Sequence, residues 1–352
     1  MRKIDIEHIQ AGSKLARPIY NANGQMLLSQ GTVMKAEFLE RLKRMGYTSA
    51  YIYDGLIDDV TVDEVIAEET RQQAVQCIRE IMDNVHRGKT MKVSLAKKAV
   101  SDIINDLISN REMMLNLSDI RSYDDYTFNH SVNVTVISLM IGISMHYTQN
   151  RLQDLGLGVI LHDIGKLKIP PEIINKPDKL TAHEYEMVQN HTWHGYEALR
   201  NSPEIKITSA HVALQHHEHF DGSGYPRRLK GKGILEFARV SAIADVYDAL
   251  SNDRCYRKKL PAYKVYEFLL ENAGKQFDSS ILDRFIQKIA LYPQGTKVKL
   301  SDGRSGLVLK QNNMNPSRPM VRLFWLDDME LPKPEEVNLL LQPSLEIVEV
   351  IE

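Results

Sequence analysis

The chain has 352 residues, enough for two or three domains and one sizeable core. It contains 44 Lys and Arg residues and 46 Asp and Glu residues, so its net charge of −2 predicts no general attraction to nucleic acid polymers or acidic membranes. The only cysteines, Cys77 and Cys255, lie far apart, which argues against a disulfide framework and fits a reducing cytoplasm. No apolar run reaches the roughly 18 residues that a membrane-spanning helix needs, so we expect no membrane insertion.

Residues 1–57 are predicted to form a small α+β domain. Ile19-Tyr20 and Met26-Leu27-Leu28 flank Asn21-Ala22-Asn23-Gly24, which is a hairpin signal. An amphipathic helix then leads to Ala50-Tyr51-Ile52-Tyr53, which predicts a closing strand. This segment has no catalytic constellation, so we expect a sensory or interaction module.

Residues 58–116 have a helical pattern and are predicted to form a connector. Apolar residues recur at helical spacing between Val75 and Met82 and again between Ile103 and Ile108, with a break at Arg87-Gly88-Lys89. Such a helix pair could bring two copies of the chain together, so a homodimer is one prediction for this segment.

Residues 117–290 also read mainly as helix. One apolar stripe extends from Val132 to Ile143, and the strand–helix alternation of a Rossmann domain is absent from the pattern. The character changes after residue 291, where Val298 to Leu309 and Met320 to Leu326 read as strands. The predicted fold class is therefore mainly α, with an all-helical catalytic domain between a small α+β N-terminal domain and a small β C-terminal domain over 291–352.

Two histidine motifs stand out in the helical region. His162-Asp163-Ile164-Gly165-Lys166 contains an adjacent His-Asp pair, and about fifty residues later His216-His217 leads into an acidic turn that ends in Gly224-Tyr225-Pro226. Neighbours on a helix point about 100° apart, so His162 and Asp163 can face one cavity while serving different metals. The two oxygens of Asp163 suit a carboxylate shared between two ions.

Two more residues could complete such a metal centre. Asp245 lies in the apolar run Ile243-Ala244-Asp245-Val246, where a bare buried carboxylate is costly and a bound cation would remove that cost. His130 begins an apolar helix and could supply another imidazole. Imidazole and carboxylate together favour Fe, Mn, Ni or Zn over Mg or Ca, so the pattern predicts a metal-dependent hydrolase.

With these motifs the chain resembles the HD-GYP family, a branch of the HD superfamily of metal-dependent phosphohydrolases. The resemblance covers roughly residues 117–290 and includes the His-Asp pair, the Gly-Tyr-Pro triplet, Asn175–Thr181 and Asp245–Arg257 in matching order. It implies a phosphodiesterase that acts on cyclic di-GMP and produces pGpG, GMP or both, by attack of a hydroxide that bridges two metals.

The resemblance also implies which residues hold the metals. For the first ion, the matching residues are His130, His162, Asp163 and Asp245. For the second ion, they are Asp163, His191, His216 and His217. Two divalent ions per chain are therefore expected, Fe or Mn first, with Ni, Zn or Co as alternatives. Tyr126 stands where family members with three metals carry a glutamate, which favours a two-metal site.

The same resemblance assigns the substrate contacts. Lys166 matches a lysine near the scissile phosphate and is expected to be catalytic together with Asp163. The loop residues Gly224, Tyr225 and Pro226 are expected to shape the substrate pocket. Arg254 and Arg257 match basic positions that contact ligand phosphates.

Asp248 and five histidines of this region are expected to take no direct part in the chemistry. Asp248 is assigned a structural role, and the histidines expected outside the ligand set are His146, His183, His194, His211 and His219. Two alternative functions stay open: a cyclic dinucleotide receptor with weak catalysis, and a phosphohydrolase for another cyclic dinucleotide such as cyclic GMP-AMP.

Overall fold

The structure is a computed structural model of the chain. It describes residues 1–21, 25–60, 64–110, 114, 126–176, 178–252, 259–312, 314–327 and 329–351. The chain forms two compact units. The terminal unit contains Met1–Glu64 and Gln287–Glu352, and the helical unit contains Val65–Arg111 and Tyr126–Ile286.

The N-terminal part of the terminal unit is a small α+β layer. Its elements are β1 (Arg2–Asp5), β2 (Lys14–Leu15), β3 (Ile19–Tyr20), β4 (Met26–Leu28), α1 (Ala36–Arg44) and β5 (Ser49–Tyr53). The antiparallel sheet has the order β1-β5-β2, and Leu39 and Leu42 of α1 pack in the same core as Ile52 of β5. The pairing of β3 with β4 confirms the predicted hairpin, although residues 22–24 of its turn lie outside the described residues.

The C-terminal part of the terminal unit is an antiparallel sheet with the strand order β10-β6-β7-β8-β9. Its strands are β6 (Lys297–Leu300), β7 (Arg304–Lys310), β8 (Met320–Leu326), β9 (Met329–Asn338) and β10 (Ile347–Ile351). The sequence pattern predicted β6, β7 and β8 but missed β10 and also β9, which contains Pro332 and Pro334. Proline cannot donate to a strand ladder and is tolerated at a sheet edge, and β9 lies at that edge.

Side chains from both ends of the chain share one core in the terminal unit. Ile57 packs with Leu307, Leu309 and Phe324. Beside this cluster, the guanidinium of Arg322 donates to both carboxylate oxygens of Asp59 at 2.7 Å. The two chain ends therefore form one compact unit, and the predicted domain boundaries near residues 57, 116 and 290 stay predictions.

The helical unit contains the two predicted histidine motifs. Its helices are α2 (Glu68–His86), α3 (Val93–Ser109), α4 (Tyr126–Ser144), α5 (Gln149–Ile160), α6 (Pro171–Ile174), α7 (Ala182–Gln189), α8 (His191–Arg200), α9 (Ile207–Gln215), α10 (Glu236–Ser251), α11 (Ala262–Glu271) and α12 (Ser279–Ile286). A 3-10 helix, Ile164–Lys168, follows α5.

Helix α4 lies at the centre of this unit and packs against α5 and α10. Val132, Val134 and Ile137 point in different directions around α4, and each exposes 1% of its surface or less. A helix that is apolar on all sides is stable only inside a protein, so its composition explains its central position. The polar residues of α4, His130 among them, are therefore held inside the unit.

Helices α2 and α3 pack against each other and against α4. The apolar face predicted from Val75 to Met82 is buried within this unit, and so is the face predicted from Ile103 to Ile108, apart from the half-buried Ile108. Dimerisation through this segment stays a prediction, and a dimer would have to use the opposite faces of α2 and α3.

The structure confirms the predicted fold class, which is mainly helical with small sheets from both chain ends. Among the helices that the structure describes, none combines the length and hydropathy needed to span a bilayer.

Candidate metal centre

Five segments of the helical unit bring the predicted metal ligands together. They come from α4, the turn after α5, the first residue of α8, the end of α9 and the middle of α10. These residues are His130, His162, Asp163, His191, His216, His217 and Asp245. All except His217, which is partly exposed, are buried.

Three of these residues form a first donor group, made of His130, His162 and Asp245. One ligand atom from each lies within 4.8 Å of the other two. Nε2 of His130 is 3.2 Å from Oδ1 of Asp245. This spacing allows the three atoms to bind one cation.

A second donor group consists of His191, His216 and His217, again with ligand atoms within 4.8 Å of one another. Nε2 of His191 and Nε2 of His216 are 3.3 Å apart. Two imidazoles that approach this closely through nitrogen atoms have no favourable contact unless a proton or a metal lies between them. The group is therefore suited to a second cation.

Asp163 lies between the two groups. Its Oδ2 is 3.4 Å from Nε2 of His162 and 3.7 Å from Nε2 of His130, both in the first group. Its Oδ1 is 3.6 Å from Nε2 of His191 and 3.9 Å from Nε2 of His216, both in the second group. Each oxygen faces a different group, which is the arrangement that a bridging carboxylate requires.

Backbone carbonyl groups set the orientation of three of the imidazoles. Nδ1 of His162 contacts the carbonyl oxygen of Val159 at 2.7 Å, and Nδ1 of His191 contacts that of Val188 at 2.6 Å. Nδ1 of His216 is likewise 3.0 Å from the carbonyl oxygen of Ala213. A carbonyl oxygen only accepts, so each Nδ1 carries the proton, and each Nε2 lone pair faces the centre.

His130 is oriented by a carboxylate. Its Nδ1 donates to Oδ2 of Asp248 at 2.7 Å, and Asp248 is fully buried. The other oxygen of Asp248 accepts from Nδ2 of Asn252 at 2.8 Å. In metal sites a carboxylate commonly accepts from the outer nitrogen of a ligand histidine and fixes the orientation of its ring. The structural role predicted for Asp248 is therefore to orient His130.

The electrostatics of the centre fit a divalent cation. Burial lowers the pKa of His191 to about 4 and that of His217 to about 3, so both imidazoles are neutral near pH 7. Burial alone would raise the pKa of Asp163, but the surrounding imidazoles and the Lys166 ammonium outweigh it and hold this pKa well below its usual range. The neutral imidazoles of His191 and His217 and the ionised carboxylate of Asp163 are therefore in the protonation states that bind metals.

For His130, burial opposes the charged form, but the hydrogen bonds to Asp245 and Asp248 outweigh burial and raise the pKa to about 9. This imidazole is therefore protonated near pH 7, and a metal would have to displace the proton on its Nε2. Two buried atoms at the centre, Nε2 of His162 and Oδ1 of Asp163, have no hydrogen-bond partner among the described residues. Leaving a buried polar atom unpaired is costly, and a bound cation would satisfy both atoms. The donor set therefore fits the metals that the sequence predicts.

A glycine allows the His-Asp turn to approach α8. A Cβ atom on Gly165 would lie 1.9 Å from the carbonyl oxygen of His191 and 2.4 Å from the nitrogen of Gly195. No side chain fits there, so Gly165 sets the distance between the His162-Asp163 pair and His191. The motif pattern included Gly165, but its packing role was not visible in the sequence.

The Gly-Tyr-Pro loop folds back over the His216-His217 pair. A Cβ atom on Gly224 would lie 2.4 Å from the carbonyl oxygen of His217, so glycine is required for this approach. The ring of Tyr225 stacks on that of His217, with centroids 4.8 Å apart, and the bond from Tyr225 to Pro226 is cis. The loop therefore contacts the centre directly.

Sequence analysis missed the residue that anchors this loop. Glu218 exposes 1% of its surface, and its two carboxylate oxygens accept from the backbone nitrogens of Arg227 at 2.8 Å and Leu229 at 2.9 Å. A glutamate directly after the His216-His217 pair was the signal that could have identified it, because a carboxylate drawn inside the protein next to such a pair needs partners.

Lys166 lies at the open side of the centre. Its ammonium donates to Oδ2 of Asp163, and about a third of the side chain is exposed. The described residues do not include Arg254, Arg257 or the side chain of Tyr126. The phosphate contacts of the two arginines, and the two-metal site inferred from Tyr126, therefore stay predictions. None of the donor groups found within the described residues includes His146, His183, His194, His211 or His219.

The chain is similar to proteins of the HD domain family and to several phosphodiesterases. The HD domain family matches residues 102–281, half of the chain. The cyclic di-GMP phosphodiesterase PA4108 of Pseudomonas aeruginosa is 31% identical over 278 residues, which cover 77% of this chain and 67% of that protein. A cyclic di-GMP phosphodiesterase of Thermotoga maritima is 29% identical over 241 residues, 65% of each chain.

A third relative, the 3'3'-cGAMP-specific phosphodiesterase 2 of Vibrio cholerae, is 26% identical over 71% of this chain and 48% of that protein. The chain thus spans about two thirds of the length of the first two relatives and about half of the third.

Among solved structures, Bd1817, a HDG"Y"P protein from Bdellovibrio bacteriovorus, has a TM-score of 0.53 at 20% identity and covers 81% of this chain and 98% of its own. This last match concerns the fold. With the family matched over half of its length and a relative at 31% identity, the chain belongs to the HD domain family and is an HD-GYP protein.

Proposed function

We propose that this chain is a metal-dependent phosphodiesterase that hydrolyses cyclic di-GMP to pGpG, GMP or both. The observation that carries the proposal is the pair of donor groups that meet at Asp163, one group at each carboxylate oxygen, which suits two metal ions and a phosphate bound to both. The relatives named as cyclic di-GMP phosphodiesterases support the substrate.

The first donor group with Oδ2 of Asp163 would hold one ion, and the second group with Oδ1 would hold the other. Five imidazoles and two carboxylates favour Fe or Mn, with Ni, Zn or Co as alternatives. When bound, such ions supply Lewis acidity toward phosphate oxygens and lower the pKa of water toward neutrality.

The protein side chains would position and neutralise the substrate. Asp163 holds the Lys166 ammonium at the open side of the centre, where it can stabilise negative charge on a non-bridging phosphate oxygen. The ring of Tyr225, held against His217, forms an apolar wall next to the second group. Burial of the ligands excludes bulk water, which strengthens these electrostatic interactions.

The test is to purify the protein without oxygen and to measure bound metals and cyclic di-GMP hydrolysis in the same sample. About two Fe or Mn per chain, with pGpG or GMP as product, is the expected result. Two metals with tight cyclic di-GMP binding and no product, after alternative metals are tried, would instead support a receptor.

The bridge is tested separately by Asp163→Ala. This variant should lose both metals together, because Asp163 is proposed to serve both groups. Asp154→Ala is a matched control and should leave the metal content unchanged, since Asp154 on α5 pairs with Lys206 and belongs to none of the donor groups. Two full equivalents of metal in Asp163→Ala would refute the bridge.

A second candidate substrate is cyclic GMP-AMP. The Vibrio cholerae relative named as 3'3'-cGAMP-specific favours testing it, at 26% identity. A comparison of kcat/KM for the two cyclic dinucleotides with the same metal-loaded sample decides between them.

A further inference from the structure

An exposed tyrosine extends the aromatic contacts of the centre toward solvent. Tyr185 lies on α7 and exposes 50% of its surface. Its ring meets that of Tyr225 edge-to-face, with centroids 6.3 Å apart and an interplanar angle of 75°. Since Tyr225 stacks on His217, the three rings form a continuous series from the second donor group to the surface.

The N-terminus of the helix that carries Tyr185 is capped by side chains of the same segment. Thr181 and Glu184 form a capping box, in which each side chain bonds the backbone nitrogen of the other. The ammonium of Lys176 donates to both oxygens of the same Glu184, at 2.8 and 2.7 Å. These contacts account for Lys176 and Thr181 in the segment Asn175–Thr181, which the metal chemistry does not use.

Helix α7 is followed, after Asn190, by His191, the first residue of α8. The position of Tyr185 relative to a metal ligand is therefore set by a short, capped segment. A short, capped connection to a metal ligand limits the conformational entropy that Tyr185 would lose on binding substrate. Solvent exposure leaves the face of the Tyr185 ring accessible to a ligand.

We propose that Tyr185, together with Tyr225, forms a base-binding edge that holds one purine of the cyclic dinucleotide beside the metal centre. The inference rests on the proposed function and deepens it by adding a substrate contact. In a cyclic dinucleotide each base is separated from a phosphate by one ribose, so a phosphate at the metals places a base within reach of nearby rings. Base–aromatic stacking tolerates any base, so this edge should serve cyclic di-GMP and cyclic GMP-AMP alike.

The test uses the metal-loaded full chain and the variants Tyr185→Ala, Tyr185→Leu and Tyr185→Phe. Loss of base stacking should raise KM for cyclic di-GMP by about 5- to 150-fold in the alanine and leucine variants. Changes in kcat should stay below about threefold, because a contact made equally in ground and transition states affects KM alone. Tyr185→Phe retains the aromatic face and should resemble the wild type.

Two controls separate base binding from a structural role. Leu270→Ala removes an apolar side chain of similar exposure, 45%, on α11 and should leave KM unchanged. Inorganic phosphate, which has no base, should inhibit the wild type and Tyr185→Ala with the same inhibition constant. Metal content should also be the same in both proteins.

Tyr185→Ala with a wild-type KM would overturn the base-binding role. The same holds if the inhibition constant of inorganic phosphate rises as much as KM does, since the ring would then only support the centre. If the wild type neither binds nor hydrolyses cyclic di-GMP or cyclic GMP-AMP, the proposed function fails and the base-binding role fails with it. If the wild type hydrolyses the substrate and the Tyr185 variants have the same KM as the wild type, only the proposed role of Tyr185 is refuted.

Discussion

Replacing Asp248 by asparagine should weaken metal binding without removing a ligand. The two oxygens of Asp248 serve different donors: Oδ2 accepts from Nδ1 of His130 at 2.7 Å, and Oδ1 accepts from Nδ2 of Asn252 at 2.8 Å. Asparagine has nearly the same shape but a single acceptor oxygen. It can satisfy one of these donors, and its own NH2 group then faces the other.

The expected loss of metal affinity follows from the hydrogen bond that is lost. A hydrogen bond to a charged group contributes about 1.5–3 kcal/mol, which is roughly 10- to 150-fold in an equilibrium constant. Replacing the outer partner of a metal-binding histidine typically costs about 10- to 100-fold in metal affinity. Both arguments predict that Asp248→Asn binds the ion of the first donor group at least about tenfold more weakly.

The assay is competition between the protein and a chelator, with metal content measured across the titration. Asn252→Ala is the control, since it keeps the bond between Asp248 and His130 and should lower metal affinity less than Asp248→Asn does. If Asp248→Asn holds both metals with wild-type affinity, Asp248 does not control the orientation of His130 and the argument is wrong.

Four other substitutions test different parts of the molecule. Gly165→Ala should reduce turnover by about 100-fold, because its Cβ would lie 1.9 Å from the carbonyl oxygen of His191 and would push the His-Asp turn away from α8; steady-state kinetics and metal analysis check this. Glu218→Ala leaves two backbone donors without partners and should lower the free energy of unfolding by about 1–3 kcal/mol and raise KM, as seen by denaturant titration and kinetics. Lys166→Ala should lower kcat by about 100-fold with unchanged metal content, and an unchanged rate would place Lys166 outside the chemistry. Arg322→Lys should lower the free energy of unfolding of the terminal unit by at most about 1 kcal/mol at pH 7, since the carboxylates that it pairs with, Asp59 and Glu336, are exposed. Because Arg322 lowers the pKa of Asp59 to about 2, stability from this pair is present above the unfolded value near 3.8 and is lost as pH falls toward 2, so the difference between Arg322→Lys and wild type should shrink in acid.

Much of the fold follows from local patterns in the sequence. The apolar stripe of α4, the β3–β4 pairing and strands β6, β7 and β8 are visible because periodicity and turn residues act over a few neighbours. Strand β9 was missed because its prolines oppose strand formation, and only its place at the sheet edge makes them acceptable.

Adjacent residues in the chain already specify the chemical character of the centre. Adjacent pairs such as His162-Asp163 and His216-His217 limit the chemistry to metals that accept imidazole and carboxylate, because ligand type is a property of the side chain. The resemblance to HD-GYP proteins then assigned the ligands before their positions in space were known.

The centre is held together by contacts between segments that are distant in the chain. Asp248 lies 118 residues after its partner His130 in the chain, and Gly165 packs against His191 through backbone atoms. Tyr185 reaches Tyr225 from a separate helix, and Ile57 shares a core with strands near the other end of the chain. Periodicity describes which way a side chain points on its own element, but it carries no information about which distant element comes to meet it, so these contacts appear only when the helices and strands are packed.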